Sequence, residues 1–307
     1  MSFKVVGIGE VLWDLLPSGA QLGGAPANFV YHAHTLGADA SVVTRVGNDQ
    51  YGDEIRRRFA GQNIAGDTVQ VDEAVPTGTV EVSLSGNGIP HFTIQKNVAW
   101  DRLEVTKSAL AAVRRANAIC FGTLAQRSEP SKTSIQQLVS AASLDALRIL
   151  DINLRQNYYS REVIETSLHL ADVLKLNDSE LPVLADMFAL GDPVRQQMEQ
   201  LAGKFELRLV ALTRGAAGSL LFQAGQWSNC SSMPIDIVDT VGAGDAFTAA
   251  LAMGMLQKKG LDEINLLADE VARHVCSHSG ATPPLPKEIC DRFVGCSSPL
   301  HTTLQTT

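Results

Sequence analysis

Short apolar runs alternate along the chain with segments in which apolar residues recur every three or four positions. The first pattern is typical of buried strands, and the second is typical of helices with one buried face. We predict strands over residues 3–8, 40–46, 118–121, 148–152, 173–176, 207–212 and 219–222, and helices over residues 25–36, 53–62, 105–116, 131–142, 160–170 and 192–204. The alternation predicts an α/β fold with a mostly parallel central sheet, helices on both of its faces, and ligands beyond the carboxyl ends of the strands.

Residues 77–94 break this alternation. A β-rich run is followed by a turn at residues 86–88 and by a second β-rich run, which predicts a hairpin. Together with residues 11–16 the hairpin can form a small sheet that acts as a lid over a site, although a simple edge hairpin is the alternative. We therefore predict a single α/β domain over residues 1–294, with a β lid from about residues 11–20 and 76–101, and a frayed tail over residues 295–307.

Composition and charge narrow the class of protein. A hydrophobic content of 45% with 19% charged residues is typical of a globular protein, and a net charge of −8 without a basic stripe argues against binding to nucleic acid. No apolar stretch reaches the ~20 residues of a membrane span, and no cleavage pattern follows the first residues. The five cysteines lack Cys-x-x-Cys spacing, which fits a reducing compartment and disfavours a metal site. We expect a cytoplasmic protein that binds small molecules, with neither nucleic acid nor membrane as a partner.

The most informative motif runs from Asp239 to Asp245, between an expected extended stretch at residues 233–238 and a segment that is apolar on nearly every face. The small residues Gly242, Ala243 and Gly244 leave backbone N–H groups bare at the start of a predicted helix, where phosphate is favoured. Asp245 can take or orient the proton of an attacking hydroxyl group. The motif favours phosphoryl transfer, and a tight strand-to-helix turn with an acid in the first helical turn is the alternative.

Two nucleotide-binding motifs are absent from the sequence. A Walker loop requires two glycines with four residues between them, followed by Lys and then Ser or Thr, and no such string occurs. A Rossmann fingerprint requires a third glycine, but position 247 is Phe247, and Gly7-Ile8-Gly9 is followed by Leu12. We therefore expect neither of these two modes of nucleotide binding.

Further polar residues follow predicted strands or open predicted helices. The carboxamide of Asn28 can donate and accept toward sugar hydroxyl groups, and Asp14 can accept hydroxyl protons, although a role as a cap or turn residue is the alternative for each. Arg155 is a candidate phosphate clamp. Glu180 and Asn177 can position Mg²⁺ through water, although a capped helix start is the alternative.

The Gly-punctuated segment of residues 213–218 lies between two predicted strands. It is either a simple hairpin turn or a turn that leaves room for a nucleotide beside the backbone.

Taken together, these motifs resemble the PfkB, or ribokinase-like, family of carbohydrate kinases over residues 7–286. Its two signatures are similar to Gly23-Gly24-x-x-x-Asn28 and to residues 239–245. Between them lie, in order, Gly47-Asn48-Asp49-x-x-Gly52, Thr77-Gly78, Asp151-x-Asn153-x-Arg155, Asn177-x-x-Glu180 and Thr213-x-Gly215. The resemblance implies a ribokinase-like α/β fold with a small β lid, and an enzyme that uses ATP and Mg²⁺.

The resemblance also implies the role of each matching residue. Asp245 matches the catalytic base, Gly242, Ala243 and Gly244 match the anion hole for the γ-phosphate, and Arg155 matches a phosphate-side residue. The implied sugar-binding set is Asp14, Gly24, Asn28, Trp100 and Gln126, together with Asp245. The implied nucleotide and Mg²⁺ set is Asn177, Glu180, Thr213, Gly215, Gly242, Gly244 and, in the segment 276–281 that borders the adenine, His278. Asp239 and Val241 match a monovalent cation site, which implies possible activation by K⁺.

Within the family, residues 9–17, 23–28, 97–101, 125–128 and 151–156 resemble bacterial fructokinases most closely. Ala25 and Gln126 disfavour ribose, because ribokinases typically carry Lys and an acid near these positions. The ring of Trp100 is expected to cover the apolar face of the sugar, and packing within the lid is the alternative.

We therefore predict phosphorylation of D-fructose to fructose 6-phosphate. The alternatives are another PfkB-type kinase, acting on 2-keto-3-deoxygluconate, ribose or a nucleoside, or a catalytically silent sugar-binding regulator. Since the lids of this family often pair, we expect a homodimer formed through the lid.

Overall fold

Two sheets of different size organise the part of the chain that the structure, a computed structural model, describes, which comprises residues 2–16, 19–84 and 90–293. The strands in these ranges are β1 (Lys4–Ile8), β2 (Leu12–Leu16), β3 (Gly19–Gly23), β4 (Asp39–Gly47), β5 (Val69–Asp72), β6 (Gly78–Leu84), β7 (Pro90–Ile94), β8 (Ala118–Phe121), β9 (Leu147–Asp151), β10 (Val173–Asn177), β11 (Leu209–Thr213), β12 (Ser219–Gln223) and β13 (Gln226–Cys230). The α-helices are α1 (Ala25–Thr35), α2 (Gln50–Gly61), α3 (Lys107–Arg115), α4 (Glu129–Ser140), α5 (Arg161–Leu170), α6 (Leu181–Phe188), α7 (Val194–Lys204), α8 (Ala243–Leu256), α9 (Leu261–Cys276) and α10 (Lys287–Asp291).

The large sheet contains nine of the strands in the described ranges, in the order β13-β12-β11-β10-β9-β8-β1-β4-β5. All pairs from β11 to β5 are parallel, whereas β12 and β13 add an antiparallel edge. Parallel neighbours place the carboxyl ends of their strands at one edge, where the chain enters the following loops. The predicted mostly parallel sheet is confirmed.

Helices cover both faces of the large sheet. Neighbouring residues of one strand, such as Val5 and Val6, are both buried but belong to different apolar clusters. Helices α1, α2, α8 and α9 supply residues to the first cluster, and α3 to α7 supply residues to the second. Burial on both faces explains why the strands appear in the sequence as continuous apolar runs.

The small sheet has the order β3-β2-β6-β7. Strands β2 and β6 are parallel, and the other two pairs are antiparallel. The predicted hairpin is therefore present as β6 and β7. Its predicted turn at residues 86–88 and the predicted tail at residues 295–307 lie outside the described residues.

Asp49 connects the two sheets. Its Oδ1 atom accepts hydrogen bonds from the N–H of Gly52 (2.8 Å) and the hydroxyl of Thr77 (2.7 Å), and its Oδ2 atom accepts from the N–H of Thr77 (2.7 Å). Asp49 is the N-cap of α2, and Thr77 immediately precedes β6. The carboxylate thus fixes the start of β6 to the end of β4 and the start of α2.

Two features of the sequence pattern have different outcomes. The apolar segment after Asp245 forms α8, which is buried along most of its length. The extended stretch expected at residues 233–238 is irregular and pairs with no strand in the described part of the chain.

None of the helices in the described ranges combines the length and the apolar composition of a helix that crosses a bilayer.

Candidate active site

A cavity of about 1170 Å³ lies between the carboxyl edge of the large sheet and the small sheet. Asp14, Gln21 and Val80 contribute to its wall from the small sheet, and Asn177 and Thr213 contribute from the ends of β10 and β11. A typical pocket for one small molecule measures about 300–1,000 Å³. The cavity therefore has room for more than one small molecule.

Asp245 and Asn28 meet in this cavity. Asp245 lies in the first turn of α8, and its Oδ2 atom accepts a hydrogen bond of 2.8 Å from Nδ2 of Asn28, which is buried in the first turns of α1. Burial and, to a smaller extent, the charge of Asp151 raise the pKa of Asp245 to about 7, although the hydrogen bond from Asn28 opposes both effects. A carboxyl group with this pKa can accept a proton at neutral pH.

The start of α8 presents unpaired N–H groups to the cavity. Gly242 is the N-cap of α8 and has a φ of 78°, and a Cβ atom at this position would lie 2.5 Å from the carbonyl oxygen of Ala281. Only glycine fits such a position. Among the described residues, the structure records no acceptor for the N–H groups of Gly244 and Asp245. Together with the helix dipole, these groups form a site suited to an anion.

Helix α1 contacts both the acid and the loop beside the anion site. His32 lies one turn after Asn28, and its Nε2 atom donates a hydrogen bond of 2.9 Å to the carbonyl oxygen of Ala281. Burial lowers the pKa of His32 to about 4, so the ring is neutral at pH 7. The same carbonyl oxygen packs against Gly242. Helix α1 therefore holds Asp245 through Asn28 and supports Gly242 through His32.

Arg155 lies exposed at the cavity wall on a loop that Glu180 fixes in place. The Oε1 atom of Glu180 accepts a hydrogen bond from the N–H of Leu154 (2.9 Å), and its Oε2 atom accepts from the N–H of Asn177 (2.8 Å). Asn153, two residues before Arg155, has a φ of 44°, which a non-glycine residue rarely adopts. The carboxylate of Glu180 thus connects the Arg155 loop to the end of β10.

The other end of the cavity is formed by loops that follow β11 and β13. Thr213 and Gly215 contribute to its wall. The Asp239 carboxylate accepts hydrogen bonds of 3.0 Å from the N–H groups of Val241 and Gly280. The irregular segment before Asp239 supplies apolar side chains to the wall, namely Met233, Pro234, Ile235 and Ile237. Apolar side chains are therefore available to a ligand at this end of the cavity.

Several charged residues of the cavity wall, among them Glu10 and Lys175, were not among the site residues predicted from the sequence. Glu10 is 3% exposed, and its Oε2 atom has no hydrogen-bond partner among the described residues. Burial raises the pKa of Glu10 to about 7. Lys175 is 6% exposed, and its Nζ atom lies 3.0 Å from Oδ1 of Asp151. The available signal was a charged residue beside or inside an apolar strand, where an unpaired charge is costly.

The structure brings most of the predicted site residues to the cavity wall. The predicted residues found there are Asp14, Gly24, Asn28, Arg155, Asn177, Thr213, Gly215, Asp239, Val241, Gly242, Ala243, Gly244 and Asp245. Asp14 is half-buried, and burial raises its pKa to about 6. Residues from distant parts of the sequence therefore share one cavity.

Trp100 and Gln126, which were expected to bind the sugar, do not contribute to the cavity wall. Trp100 is 1% exposed and lies under the guanidinium group of Arg127, which is 3.9 Å from its ring centroid. Gln126 is buried, and its Nε2 atom donates to the carbonyl of Gly122 and the hydroxyl of Ser167, both at 2.9 Å. Packing and internal hydrogen bonds occupy both side chains, so we leave them out of the proposed site.

His278 and Glu180 also lie outside the cavity wall. His278 is exposed, and its Nδ1 atom donates to the carbonyl oxygen of His274 at 2.8 Å. Glu180 is 4% exposed and lies behind Asn177, with both oxygens accepting backbone N–H groups. In the described ranges, no group of three or more His, Cys, Asp or Glu side chains could hold a metal ion. Any cation in this cavity would therefore depend on ligands other than such a cluster.

Comparisons with known proteins place this geometry in context. A family model described as pfkB family carbohydrate kinase matches residues 19–288. A fructokinase of Klebsiella pneumoniae is 29% identical over 288 residues, which is 89% of this chain and 91% of that protein. The solved structure of an uncharacterized sugar kinase of Pyrococcus horikoshii in complex with ATP is 28% identical, with a TM-score of 0.76 over 91% of this chain and 94% of that chain.

A fructokinase of Vibrio cholerae, solved with fructose, ADP and a calcium ion, is 23% identical. Its TM-score is 0.78 over 95% of this chain and 99% of that chain. These likenesses confirm the predicted fold class.

Proposed function

Because the chain belongs to the pfkB family of carbohydrate kinases and is therefore a phosphotransferase that acts on a sugar hydroxyl group, we propose that it transfers the γ-phosphoryl group of ATP to D-fructose. The product is fructose 6-phosphate. Fructose is favoured by the names of relatives such as the Klebsiella pneumoniae fructokinase, and ATP by the nucleotide bound in the Pyrococcus horikoshii sugar kinase.

One observation carries this proposal. Asp245, which can accept a proton, lies at the start of α8 beside N–H groups that have no recorded acceptor among the described residues, and all of these groups face the same cavity. A proton acceptor next to a site for an anion is the arrangement that phosphoryl transfer to a hydroxyl group requires.

In the proposed reaction, the ionised carboxylate of Asp245 accepts the proton of the fructose 6-hydroxyl group. The hydroxyl oxygen forms a bond to the γ-phosphorus atom while the bond to the β,γ-bridging oxygen breaks, and ADP leaves with the electron pair. The N–H groups of Gly244 and Asp245 at the start of α8 and the guanidinium group of Arg155 stabilise charge on the transferred group. The N–H of Ala243, which was expected to join them, donates to the carbonyl oxygen of Thr240 at 3.4 Å. Because the transition state of such transfers is loose in most analyses, positioning and electrostatic stabilisation supply most of the rate.

Magnesium fits the cavity as a hydrated ion. The side chains near the end of β10 are Asn177, whose Oδ1 atom accepts from the N–H groups of Ser179 and Glu180 at 2.9 Å, and Glu180 behind it. Mg²⁺ usually keeps several waters and takes most of its other ligands from substrate phosphates. We propose that Asn177 holds it through water, where it would neutralise charge on the triphosphate, and that Glu180, which lies outside the cavity wall, fixes the end of β10 beside it. A K⁺ site near Asp239 and Val241 stays a proposal.

The arrangement of the two sheets motivates two further parts of the proposal. The kinase domain would cover residues 1–294, and the small sheet, with about residues 11–20 and 76–101, would be its lid. This lid would exclude water from the cavity when sugar is bound. We also propose that the protein forms a homodimer through this sheet and that it is located in the cytoplasm, where ATP is available.

A phosphorylation screen tests the function. The purified protein is incubated with ATP and Mg²⁺, with and without K⁺, and with fructose, ribose, 2-keto-3-deoxygluconate or a nucleoside, and ADP release is measured. We expect the highest kcat/KM with fructose. The Asp245→Asn variant should keep its fold and its affinity for ATP and lose roughly 10²- to 10⁴-fold in kcat, the usual contribution of a general base.

Two outcomes would contradict the proposal. Turnover of another sugar or of a nucleoside with a higher kcat/KM than fructose would reassign the substrate, and no ADP release with any acceptor would favour a silent sugar-binding regulator. Near-wild-type turnover by the Asp245→Asn variant would remove Asp245 from the role of base.

A further inference from the structure

Lys175 is a charged residue in the middle of a buried apolar strand. It lies on β10 between Leu174 and Leu176, which are both fully buried, and is itself 6% exposed. An ammonium group in this position costs free energy unless it is paired. Unlike its two neighbours, Lys175 also contributes to the wall of the cavity.

The ammonium group is paired with Asp151 at the end of β9. Its Nζ atom lies 3.0 Å from Oδ1 and 3.1 Å from Oδ2 of Asp151. The hydroxyl of Thr248, on α8, lies 2.8 Å from Oδ2 of the same carboxylate. An ammonium group has three N–H donors, and the structure records acceptors for two of them, both on Asp151. One donor is therefore available to a ligand.

The location of the ammonium group identifies that ligand. A Cβ atom on Gly244 would lie 2.9 Å from Nζ of Lys175, so the ammonium group is next to one of the residues that form the anion site at the start of α8. Burial lowers the pKa of Lys175, but the carboxylates of Asp151, Glu180 and Asp245 outweigh this effect, so the pKa lies above its usual value and the group stays charged.

We propose that Lys175 is a catalytic residue of the phosphoryl transfer, whose third N–H donates a hydrogen bond to a non-bridging oxygen of the γ-phosphoryl group at the anion site. The inference rests on the proposed kinase function. As the bond from the sugar oxygen to phosphorus forms and the bond to the bridging oxygen of ADP breaks, the ammonium group keeps its proton and stabilises the charge on the transferred group. Asp151 and Thr248 are positioning residues, because they hold the ammonium group and do not contact the phosphoryl group.

A purely structural ion pair is the alternative, and a double substitution separates the two roles. Lys175→Met alone would leave the buried carboxylate of Asp151 unpaired and can prevent folding. The variant Lys175→Met/Asp151→Asn removes both charges together and keeps an oxygen for the hydroxyl of Thr248. Lys132→Met is the matched control, because Lys132 is also paired with carboxylates, at 2.9 and 3.1 Å from Glu129 and Glu162, but does not contribute to the cavity wall.

The double variant is compared with the wild type by steady-state kinetics and by calorimetric titration with ATP and with ADP. We expect kcat to fall by about 10²- to 10³-fold, as for the loss of one donor to a developing oxyanion, and the KM for fructose to change little. The affinity for ATP should fall roughly tenfold or more relative to the affinity for ADP, because only ATP carries the γ-phosphoryl group. Lys132→Met should change none of these values.

The titrations keep this inference separate from the proposed function. If the wild type phosphorylates no sugar but binds ATP, the kinase proposal fails, and the ratio of ATP to ADP affinities still tests the contact of Lys175 with the γ-phosphoryl group. A folded double variant with wild-type kcat, or one that loses affinity for ATP and ADP equally, would overturn the inference.

Discussion

Asp245 must lose its proton before it can act as a base, and its surroundings decide the pH at which this happens. Burial and the nearby carboxylate of Asp151 raise its pKa to about 7, whereas Asn28, Lys175 and Arg155 oppose that rise. We expect kcat/KM for sugar to rise with pH below about 7 and to level off above it, because only the ionised carboxylate accepts the hydroxyl proton. A series of initial rates between pH 5.5 and 8.5 measures the profile.

The control for this profile is the folded fraction at each pH. Since Glu10 and Asp14 also have raised pKa values, of about 7 and about 6, the apparent values belong to the group of carboxyls and not to one residue. A rate that is constant over the whole range while the protein stays folded would contradict the role of Asp245 as a base.

Glu10 allows a prediction about stability. Its folded-state pKa of about 7 lies above the ordinary value of 4.5, so the folded protein holds this proton more tightly than the unfolded chain does. This tighter binding of the proton stabilises the folded protein fully below about pH 4.5, and the stabilisation is lost as the pH rises through about 7. Glu10→Gln removes the buried charge, and we expect it to raise the free energy of unfolding at pH 8 by roughly 2 kcal/mol.

Urea unfolding at pH 5 and pH 8 measures this effect of Glu10→Gln. The gain should shrink at pH 5, where the wild-type carboxyl group already holds its proton for most of the time. A variant that is no more stable than the wild type at pH 8 would show that burial of the ionised Glu10 carboxylate does not destabilise the folded protein.

Among the elements, the connection between α2 and β6 depends on Thr77. This residue is buried, its hydroxyl donates to Asp49 and accepts from the N–H of Gly47 at 2.9 Å, and it immediately precedes the small sheet. Thr77→Val keeps the shape of the side chain and removes its hydroxyl group. The N–H of Gly47 therefore loses its hydrogen-bond acceptor. We expect a loss of about 1–3 kcal/mol in the free energy of unfolding. We also expect a larger rise in KM for fructose than for ATP, because the small sheet carries Asp14, a proposed sugar-binding residue.

Thr79→Val is the matched control, because Thr79 lies two residues later on β6 and the structure records no hydrogen bond of its hydroxyl among the described residues. Thermal unfolding and steady-state kinetics on both variants make the comparison. Equal effects of the two substitutions would show that the hydroxyl of Thr77 does not fix the small sheet.

Most of the elements could be predicted from the sequence, and the exceptions have a physical reason. Strands such as β8 and β10 are buried on both faces, so their apolar runs mark them within one or two residues. The stretch at residues 233–238 has the same apolar character but no neighbouring strand among the described residues, and its side chains face the cavity instead. A local sequence pattern shows which residues are apolar, but it does not show whether a neighbouring strand or a cavity lies against them.

At the scale of the whole molecule, the sequence predicts which strand ends contribute residues to the candidate site. It does not predict which of these residues contact one another. The hydrogen bond between Asn28 and Asp245 joins residues 217 positions apart, and no local spacing indicates it. Motifs located Glu180 correctly between β10 and α6, but only the fold shows that backbone N–H groups occupy both of its oxygens. Lys175 was missed for the same reason, since its importance depends on Gly244 on another element.

Helix α1 contacts the acid through Asn28 and the Ala281 carbonyl through His32, one turn apart. During divergence toward a new sugar, a shift of this helix would move the proposed phosphate site at the start of α8 as well as the acid. We therefore expect homologues with different preferences to keep the geometry of α1 and to vary at Asp14 and Gln21, which reach the cavity from the small sheet. Selection would then act on strands that can change without disturbing the transfer chemistry.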